Sequence, residues 1–414
     1  MRITLLTIGS TGDVLPLICL GKELTSRGHD ITLATFSGFA DRVRENGLRF
    51  FPLSGDAEAF MNAVMSPETS GLSYLPHLES ALRQVAPHLI QDMSDSCSHA
   101  DALVCSFFGS LNYSIAEKHR IPCIQIHYFP MDPTSDMPIS AVRNQRLLPW
   151  MNLVTFRLGY LLISTVEKRL LSAWRSENNL PLRKIHSSPD YQVNGHPVPV
   201  IYAISPAVLP RPTGWGPQIQ MSGFWFDDRP IHWNPPESLE TFLAAHPDAL
   251  YIGFGSMNGG DMQKLLAIVL RALHAAGLHA VIHLGWSGLH LSSTSRVHFV
   301  SYVPHDWLFP RVSAVVHHGG AGTTAAGLRF GKPTLVIPFA GDQAFWGRRV
   351  QELNCGPAPI AREHLTVNRL TSALKELVSQ PAYRRAAESI QRAIARENGV
   401  KTAADLIEKE ISRW

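Results

Sequence analysis

Residues 315–347 read VVHHGGAGTTAAGLRFGKPTLVIPFAGDQAFWG, in which two apolar runs each lead into a glycine-containing turn. The run at residues 314–319 predicts a buried strand, and residues 323–329 predict a helix. The run at residues 333–339 predicts a second strand, which leads into a helix over residues 343–353. Because a strand, a helix and a strand in this order form a parallel pair covered by the helix, the stretch predicts an α/β architecture.

The same alternation runs through most of the 414 residues and predicts two similar α/β halves. Apolar runs at residues 2–8 and 30–35 alternate with helical patterns, and the alternation starts again in the second half of the chain. Since the chain is too long for one ordinary core, we expect an N-terminal domain over residues 1–205 and a C-terminal domain over residues 237–398. Residues 206–236, rich in Pro, Gly and Trp, are expected to link the two.

Composition and charge argue against several classes of protein. The formal net charge is +3 and no polybasic run occurs, so a general nucleic-acid binder is not expected. The five cysteines are scattered and odd in number, which argues against a disulfide framework or a zinc site and favours a reducing, cytoplasmic compartment. The N-terminal residues show no export signal, and no run of about 18 uncharged apolar residues predicts a membrane span. Residues 147–171 predict an amphipathic helix; core packing is the simplest interpretation, and peripheral membrane contact stays open.

The turn at Gly319, Gly320 and Gly322 lies between a predicted strand and a predicted helix. Glycine lets a ligand approach the backbone closely, and the free N–H groups and the dipole at a helix N-terminus favour a phosphate. The hydroxyls of Thr323 and Thr324 could add donors. An ordinary strand-to-helix turn with a threonine cap would explain the same residues, so the turn by itself leaves both interpretations open.

The adjacent histidines His317 and His318 point to opposite faces of the predicted strand, so they cannot readily share one metal ion. We therefore expect no metal site here. His318 is nearer the glycines and is expected on the ligand side.

A rival function arises from the same turn. The pattern Gly-x-Gly-x-x-Ala at residues 320–325, with Asp342 downstream, matches the dinucleotide fingerprint of NAD(P)-dependent oxidoreductases. However, the residues after Asp342 predict helices almost throughout, which leaves too few strands for a second mononucleotide-binding half.

The motifs HHGGAGTT (317–324) and PFAGDQAFWG (338–347) resemble the nucleotide-sugar site of UGT-type GT-B glycosyltransferases, which are similar to glycosyltransferase families 1 and 28. GSTGDVLP (9–16) is similar to the opening motif of that group, and YVPHDWLFP (302–310) to its base-binding loop. The resemblance is strongest to sterol 3-beta-glucosyltransferases and to bacterial enzymes that glycosylate antibiotic aglycones. It implies a GT-B fold of two facing Rossmann-like domains with a cleft between them, the donor on the C-terminal domain and the acceptor on the N-terminal one. It also implies that the helix over residues 399–414 returns to the N-terminal domain.

The activity implied by the resemblance is an inverting transfer of a hexose from a UDP-sugar to a hydroxyl of a small lipophilic acceptor, such as a sterol, a polyketide or a phenol. The UDP-sugar is the co-substrate, and neither a metal nor another cofactor is implied. Transfer of a deoxysugar from a TDP donor to an antibiotic aglycone is the alternative within the class; a non-catalytic nucleotide-sugar or lipid-binding module is an alternative outside it. Deoxysugars lack hydroxyls that Asp342 and Gln343 would address, so this pair favours glucose.

By the same resemblance, His318 and the backbone near Gly320 stabilise the departing diphosphate, and Asp13 is the general base. Asp13, Ser256 and Asp342 have the simpler alternative of capping a helix, and His127 is either a second candidate base or a packed histidine. The residues implied to bind the nucleotide sugar are Ser10, Thr11, Ser256, Val303, His318, Gly320, Gly322, Thr323, Asp342 and Gln343. Those expected to contact the acceptor are Phe60, Met61, Met65, Tyr74, His127 and Trp346.

Overall fold

The computed structural model describes residues 1–56, 88–106, 109–140, 142, 147–189, 191–228, 233–255, 261–285 and 291–414. The chain divides into two compact units. Residues Met1–Asp227 together with Glu397–Trp414 form the first unit, and Asp228–Arg396 form the second.

The first unit is built around a parallel sheet. The strands of the unit are β1 (Arg2–Leu6), β2 (Asp30–Phe36), β3 (Arg49–Leu53), β4 (Ala102–Ser106), β5 (Cys123–His127), β6 (Gln192–Val193), β7 (His196–Pro197), β8 (Val200–Tyr202) and β9 (Ile219–Met221). Strands β6 and β7 form a separate antiparallel pair. The helices that precede residue 228 in the described ranges include α1 (Thr11–Ser26), α2 (Ala40–Glu45), α3 (Gly109–His119) and α4 (Pro149–Glu177).

Among the described residues, the main sheet of the first unit has the strand order β3-β2-β1-β4-β5-β8-β9, and neighbouring strands are parallel. The apolar residues of β1 and the whole of β4 are buried, as expected for strands covered on both faces. Because all these strands run the same way, the residues that follow β1 and β5 come to the same edge of the sheet. Asp13 and His127 are therefore both at the carboxyl edge of this sheet.

The second unit repeats the architecture with a smaller sheet. Its strands are β10 (Leu250–Gly253), β11 (Ala280–His283), β12 (Val297–Val300), β13 (Val315–His317) and β14 (Thr334–Val336), all parallel, in the order β12-β11-β10-β13-β14. Its helices are α5 (Glu237–Ala245), α6 (Asp261–Ala276), α7 (His305–Leu308), α8 (Ala321–Arg329), α9 (Gln343–Glu352), α10 (Val367–Ser379) and α11 (Pro381–Ile394).

Alternation along the strands of the second unit gives it two apolar layers. Ile252 and Val316 face a cluster that includes Leu374 of α10, whereas Tyr251 and Val315 face a second cluster on the other side of the sheet. Both faces of the sheet are therefore covered, and its carboxyl edge is where the loops can bind a ligand. The α/β prediction is confirmed in both units.

The end of the chain belongs to the first unit. Helix α12 (Gly399–Ile411) packs on α1, and Arg27, the residue that caps the C-terminus of α1, donates to Asp405 (2.6 Å) and Glu408 (2.9 Å) of α12. The backbones also meet closely, since a Cβ atom at Gly399 would lie 2.1 Å from the carbonyl oxygen of Phe224.

Two expectations about the chain's organisation can be compared with the structure. Most of the segment 206–236, expected as a linker, lies in the first unit, because Ile219–Met221 pairs with β8 and extends the sheet. The amphipathic helix expected near residues 147–171 exists as α4, but core packing covers only one side of it, through residues such as Phe156 and Val166. No helix in the described ranges is both long and apolar enough to cross a membrane.

Candidate functional site

Gly319 brings the two halves of the motif 315–347 together in the second unit. Its φ is +98°, a left-handed conformation that glycine adopts without steric cost. A Cβ atom at this position would lie 2.6 Å from Val336 Cγ1 and 2.8 Å from the carbonyl oxygen of Gln343. Because only a hydrogen atom fits there, the turn after β13 lies directly against the start of α9.

The turn leads into α8, whose first residue is Ala321 and whose N-cap is Gly320. Among the described residues, no side chain caps this end of the helix. The first N–H groups of a helix have no partner within the helix, so this end carries free donors and the positive end of the dipole. Gly322 is exposed, with no atom within 4 Å of the place of a Cβ, and Thr323 is half-buried. An anion can therefore reach the N-terminus of α8.

The hydroxyl of Thr324, expected as a further donor to the ligand, has another role. Thr324 is fully buried, and its Oγ1 donates to the carbonyl oxygen of Gly320 at 2.9 Å. It holds the first turn of α8 and cannot contact a ligand at the surface. Thr323 remains as the threonine at the open end of the helix.

The two histidines occupy different environments, and their rings are 6.0 Å apart and almost perpendicular. His317 is 0% exposed, and its Nδ1 accepts a hydrogen bond from the backbone N–H of Gly319 at 2.9 Å. His317 therefore fixes the turn from inside. His318 is half-buried, on the side of the glycines.

The imidazole of His318 is enclosed by two glycines. A Cβ atom at Gly255 would lie 2.8 Å from its Cε1, and one at Gly320 would lie 2.6 Å from its Nε2. Burial lowers the pKa of His318 to about 4, so the ring is neutral at pH 7. Its Nδ1 is buried and has no hydrogen-bond partner among the described residues. An unpaired buried ring nitrogen is costly, and such an atom is typical of a site that is completed by a ligand.

Asp342, Gln343 and Trp346 form a small network at the start of α9. Trp346 Nε1 donates to Asp342 Oδ2 at 2.8 Å, and Gln343 Oε1 accepts from the backbone N–H groups of Phe339 (2.7 Å) and Ala340 (3.2 Å). The network orients the carboxylate and closes the loop after β14. Asp342 and Gln343 thereby bring a carboxylate and an amide, the two kinds of group that suit a sugar's hydroxyls, to the start of α9.

Trp346 does not lie where an acceptor could touch it. The residue is 0% exposed and belongs to the second unit, where it orients Asp342. Its indole is occupied by packing and by this hydrogen bond, so the structure as it stands offers an acceptor no exposed surface of Trp346. The amphipathic spacing of α9 could have indicated this, since Trp346 falls on the same face as Val350.

The loop before α7 is anchored by apolar side chains that are buried beneath it. The side chain of Val303 packs in an apolar cluster with Leu308 and Phe309, so only its backbone could meet a nucleobase. Trp307 packs against Trp233, with ring centroids 5.0 Å apart. His305 stacks on Phe309 at 4.4 Å between centroids, and burial lowers its pKa to about 3.

In the first unit, Asp13 begins α1 in a capping box. Its Oδ2 accepts hydrogen bonds from the backbone N–H (2.7 Å) and the hydroxyl (3.1 Å) of Ser10, and the Ser10 hydroxyl in turn accepts from Gly12 N at 3.2 Å. Burial raises the pKa of Asp13 to about 6, and the hydrogen bonds from Ser10 oppose part of that rise. The capping role and a carboxyl group tuned toward neutral pH thus coexist in one residue.

Of Ser10 and Thr11, which are implied as nucleotide-sugar ligands, Ser10 bonds this carboxyl. The hydroxyl of Ser10 is used in the cap, and Thr11 is half-buried as the first residue of α1. His127 is half-buried by its overall surface, with its ring 5.3 Å from that of Tyr202, and burial lowers its pKa to about 3. This environment is that of a packed, neutral histidine.

Sequence reasoning missed two residues that position Asp13. Gly9 has φ +146°, and a Cβ atom there would lie 2.3 Å from Asp13 Oδ2. Tyr128 donates its hydroxyl to the backbone oxygen of Asp13 at 3.2 Å. The glycine directly after a buried strand was a signal that could have been used, whereas nothing in the sequence linked Tyr128 to residue 13.

Several expected ligand residues lie outside the described residues. They are Ser256, Phe60, Met61, Met65 and Tyr74. Each unit therefore has its own described candidate residues: the α8 end with His318 and Asp342–Gln343 in the second unit, and the Asp13 cap in the first.

Two family models match the chain. The Glycosyltransferase family 28 N-terminal domain matches residues 3–136, and the Erythromycin biosynthesis protein CIII-like, C-terminal domain matches residues 276–408. The matches cover the Asp13 cap and the α8–α9 region, respectively.

Curated relatives align along nearly the whole chain. Two sterol 3-beta-glucosyltransferases of Arabidopsis thaliana are each 32% identical over 99% of this chain, which spans 66% and 68% of their lengths. The sterol 3-beta-glucosyltransferase of Pichia angusta is 33% identical over 99% of this chain, which spans 33% of its length.

Solved structures show the same fold at low sequence identity. The glycosyltransferase of kitacinnamycin matches with a TM-score of 0.71 and 18% identity over 99% of both chains. The calicheamicin glycosyltransferase CalG4 matches with a TM-score of 0.68 and 18% identity over 100% of this chain and 98% of its own. VinC, a glycosyltransferase solved in complex with DTDP, matches with a TM-score of 0.67 and 17% identity over 100% of both chains.

The architecture of the two units, the two family matches and the identity to relatives along nearly the whole of this chain agree. The chain belongs to the family of GT-B glycosyltransferases that contains the sterol 3-beta-glucosyltransferases.

Proposed function

We propose that the chain transfers a glucosyl group from UDP-glucose to the hydroxyl of a lipophilic acceptor, a sterol in the first place, with inversion at the anomeric carbon. The observation that carries the proposal is the uncapped N-terminus of α8 beside the partly unpaired imidazole of His318. The relatives named as sterol 3-beta-glucosyltransferases support the acceptor class.

The donor's diphosphate binds at the N-terminus of α8. As the bond between the anomeric carbon and the β-phosphate oxygen breaks, negative charge grows on the diphosphate. The backbone N–H groups at Gly322 and Thr323, together with the dipole of α8, stabilise that charge without needing to reorganise. Neutral His318 adds a ring N–H donor, and one donor of this kind contributes about 3–4 kcal/mol to lowering the barrier. With this charge stabilisation supplied by the protein, we propose that transfer needs no metal ion.

The glucose is held by Asp342 and Gln343. Gly319 places the start of α9 against the turn that binds the diphosphate, so the sugar attached to it comes within reach of these two side chains. A carboxylate accepts hydrogen bonds and an amide both donates and accepts them, which suits vicinal hydroxyls. A hexose with its hydroxyls intact uses both groups, whereas a deoxysugar does not.

Asp13 accepts the proton of the acceptor hydroxyl as that oxygen attacks the anomeric carbon. Its raised pKa of about 6 leaves it ionised at pH 7 yet basic enough to take the proton. Tyr128 holds its backbone through a hydrogen bond, and Gly9 leaves the space that its carboxyl occupies. We also propose a reducing, cytoplasmic location, which the five free cysteines support.

Donor specificity is tested first by thermal unfolding of the full chain with UDP, TDP or NAD+. We expect UDP to raise the unfolding temperature most, because its diphosphate would bind at α8 while its uracil binds the loop over residues 302–310. A larger shift with TDP would favour a deoxysugar donor, and a shift with NAD+ alone would overturn the proposal in favour of an oxidoreductase.

Transfer is then measured by mass spectrometry with UDP-glucose and a panel of sterols and phenols. His318→Ala should weaken UDP binding and slow transfer, whereas His246→Ala, a histidine that stacks on His279 in the same unit, should change neither. Formation of no glucoside with any member of the panel, despite tight UDP binding, would make the chain a binding module rather than a transferase.

A further inference from the structure

Helix α4 presents large apolar side chains to solvent. The exposed ones are Trp150, Leu153, Val154, Leu158, Leu161 and Leu162, of which Trp150 is 63% and Leu158 56% exposed. We call this set the α4 apolar face. At 100° per residue the six positions fall on one continuous arc, roughly half of the helix circumference.

The opposite side of α4 fixes the helix to the first unit. Phe156 is fully buried, Asn152 Nδ2 donates to the carbonyl oxygen of Ser135 at 2.7 Å, and Arg175 pairs with Glu117 at 2.9 Å. The helix is therefore held in place, and its apolar face is a fixed part of the surface.

The segment that follows α4 enlarges this surface. Ser164 Oγ donates to the carbonyl oxygen of His186 (3.0 Å) and accepts from its N–H (3.2 Å), so the chain near residue 186 runs beside the helix. Leu182 and Ile185 in this segment are both exposed. Other exposed large apolar residues of the described chain, such as Leu291 and Val378, are scattered singly, which is ordinary for a surface.

The charged side chain within the α4 apolar face is positive. Residues 149–166 of α4 contain one charged residue, Arg157, and Glu167, the first acid of the helix, is buried. Arg157 lies inside the exposed arc, and Lys184 is exposed next to Ile185. Long cationic side chains can lay their stems on apolar surface while their charged ends reach an anionic layer.

We propose that the α4 apolar face docks on the surface of a bilayer that contains anionic lipids, with α4 lying parallel to the membrane. An exposed tryptophan, leucines on one arc and only cations among them are the features of an interfacial helix. Among the described residues, the exposed arc of α4 carries Arg157 and no acid, and Lys184 is exposed beside it, which suits the anionic surface of a bilayer. The inference does not depend on glucosyl transfer, although docking would bring the enzyme to a lipid-embedded acceptor.

Vesicle flotation tests the proposal with the full chain and without donor or acceptor. We expect the protein to float with phosphatidylcholine vesicles containing about one third phosphatidylserine, and less with phosphatidylcholine alone. The triple variant Trp150→Ser, Leu158→Ser, Leu161→Ser should lose about tenfold or more in partitioning, since each side chain is exposed in the free protein and buried only on the membrane. Arg157→Glu should lower binding to the anionic vesicles selectively.

The control is the double variant Leu291→Ser, Val378→Ser, which removes two exposed apolar side chains of the second unit and should float like the parent. Circular dichroism checks that each variant keeps its helix content. Equal partitioning of the triple variant and the parent, or no flotation of the parent with either vesicle, would overturn the proposal. So would a parent dimer in sedimentation equilibrium that the triple variant converts to a monomer, because a second copy would then be the occupant.

Discussion

Replacing Gly320 by alanine is expected to displace the imidazole of His318, and the effect can be isolated. Gly320 has φ −61° and ψ 143°, so alanine can adopt the same backbone conformation. The obstacle is the ring, since the new Cβ would lie 2.6 Å from His318 Nε2. In the His318→Ala background that obstacle is absent, and the same substitution should be tolerated.

A double-mutant cycle gives the magnitude. Replacing glycine lowers the conformational entropy of the unfolded chain, which stabilises the fold by about 0.4–1 kcal/mol, and an N-cap prefers glycine over alanine. Both effects act in both backgrounds and cancel. What remains is the clash between the Cβ and the ring, for which overpacking costs about 1–3 kcal/mol. The coupling free energy between positions 320 and 318 is therefore expected to be about 1–3 kcal/mol, with each single variant measured against the double variant.

The four full-length proteins are compared by urea unfolding and by calorimetric titration with UDP. Gly320→Ala should weaken UDP binding in the parent, because the ring no longer points at the ligand, and should change it little when His318 is already alanine. If the free energies of unfolding add to within about 0.5 kcal/mol, the ring does not lie between these glycines and the site as described is wrong.

The remaining predictions concern the first unit and the catalytic step. Asp13→Asn should keep UDP affinity and lower the transfer rate at least about 100-fold, whereas Asp41→Asn on the exposed face of α2 should not; normal turnover by Asp13→Asn would discard Asp13 as the base. Because the carboxylate is the active form and its pKa is raised to about 6 by burial, the transfer rate of the parent should fall as pH decreases through about 6; a rate independent of pH between 5 and 8 would contradict this. The same raised pKa makes ionisation costly in the folded state, so stability should decline as pH rises from about 4 to 6, and thermal unfolding should show that slope flattened in Asp13→Asn. Gly9→Ala should slow transfer, because the new Cβ would displace the Asp13 carboxyl, and should leave UDP binding intact; an unchanged transfer rate or a loss of UDP binding in calorimetric titration would contradict this.

Much of the fold could be predicted because buried parallel strands have a plain signature. The apolar runs around residues 315 and 334 became β13 and β14, and the helices predicted after them begin within two residues of their observed starts. The run QIQM, which contains β9, was missed because it alternates polar and apolar residues within a segment rich in proline, as an edge strand can.

The site was harder, because side-chain direction is not a property of the sequence alone. Motif position could separate His318 from His317, since neighbours on a strand alternate. It could not show that Thr324 bonds back to Gly320 or that Trp346 donates to Asp342, because both follow from the side-chain geometry of the folded helices. The exposed arc of α4 was likewise undetermined, since a stripe of leucines is the same whether a core or a bilayer covers it.

The placement of α12 has a consequence for biogenesis. A ribosome makes α1 before α12, with the entire second unit between them, yet Arg27 and Asp405 must meet for the first unit to be complete. The nascent chain therefore carries an unfinished first unit while the second unit is made, and the surface of α1 on which α12 packs stays exposed until α12 leaves the exit tunnel. The two units therefore cannot fold one after the other in the order of their sequence, and the second unit can reach its native state before the first.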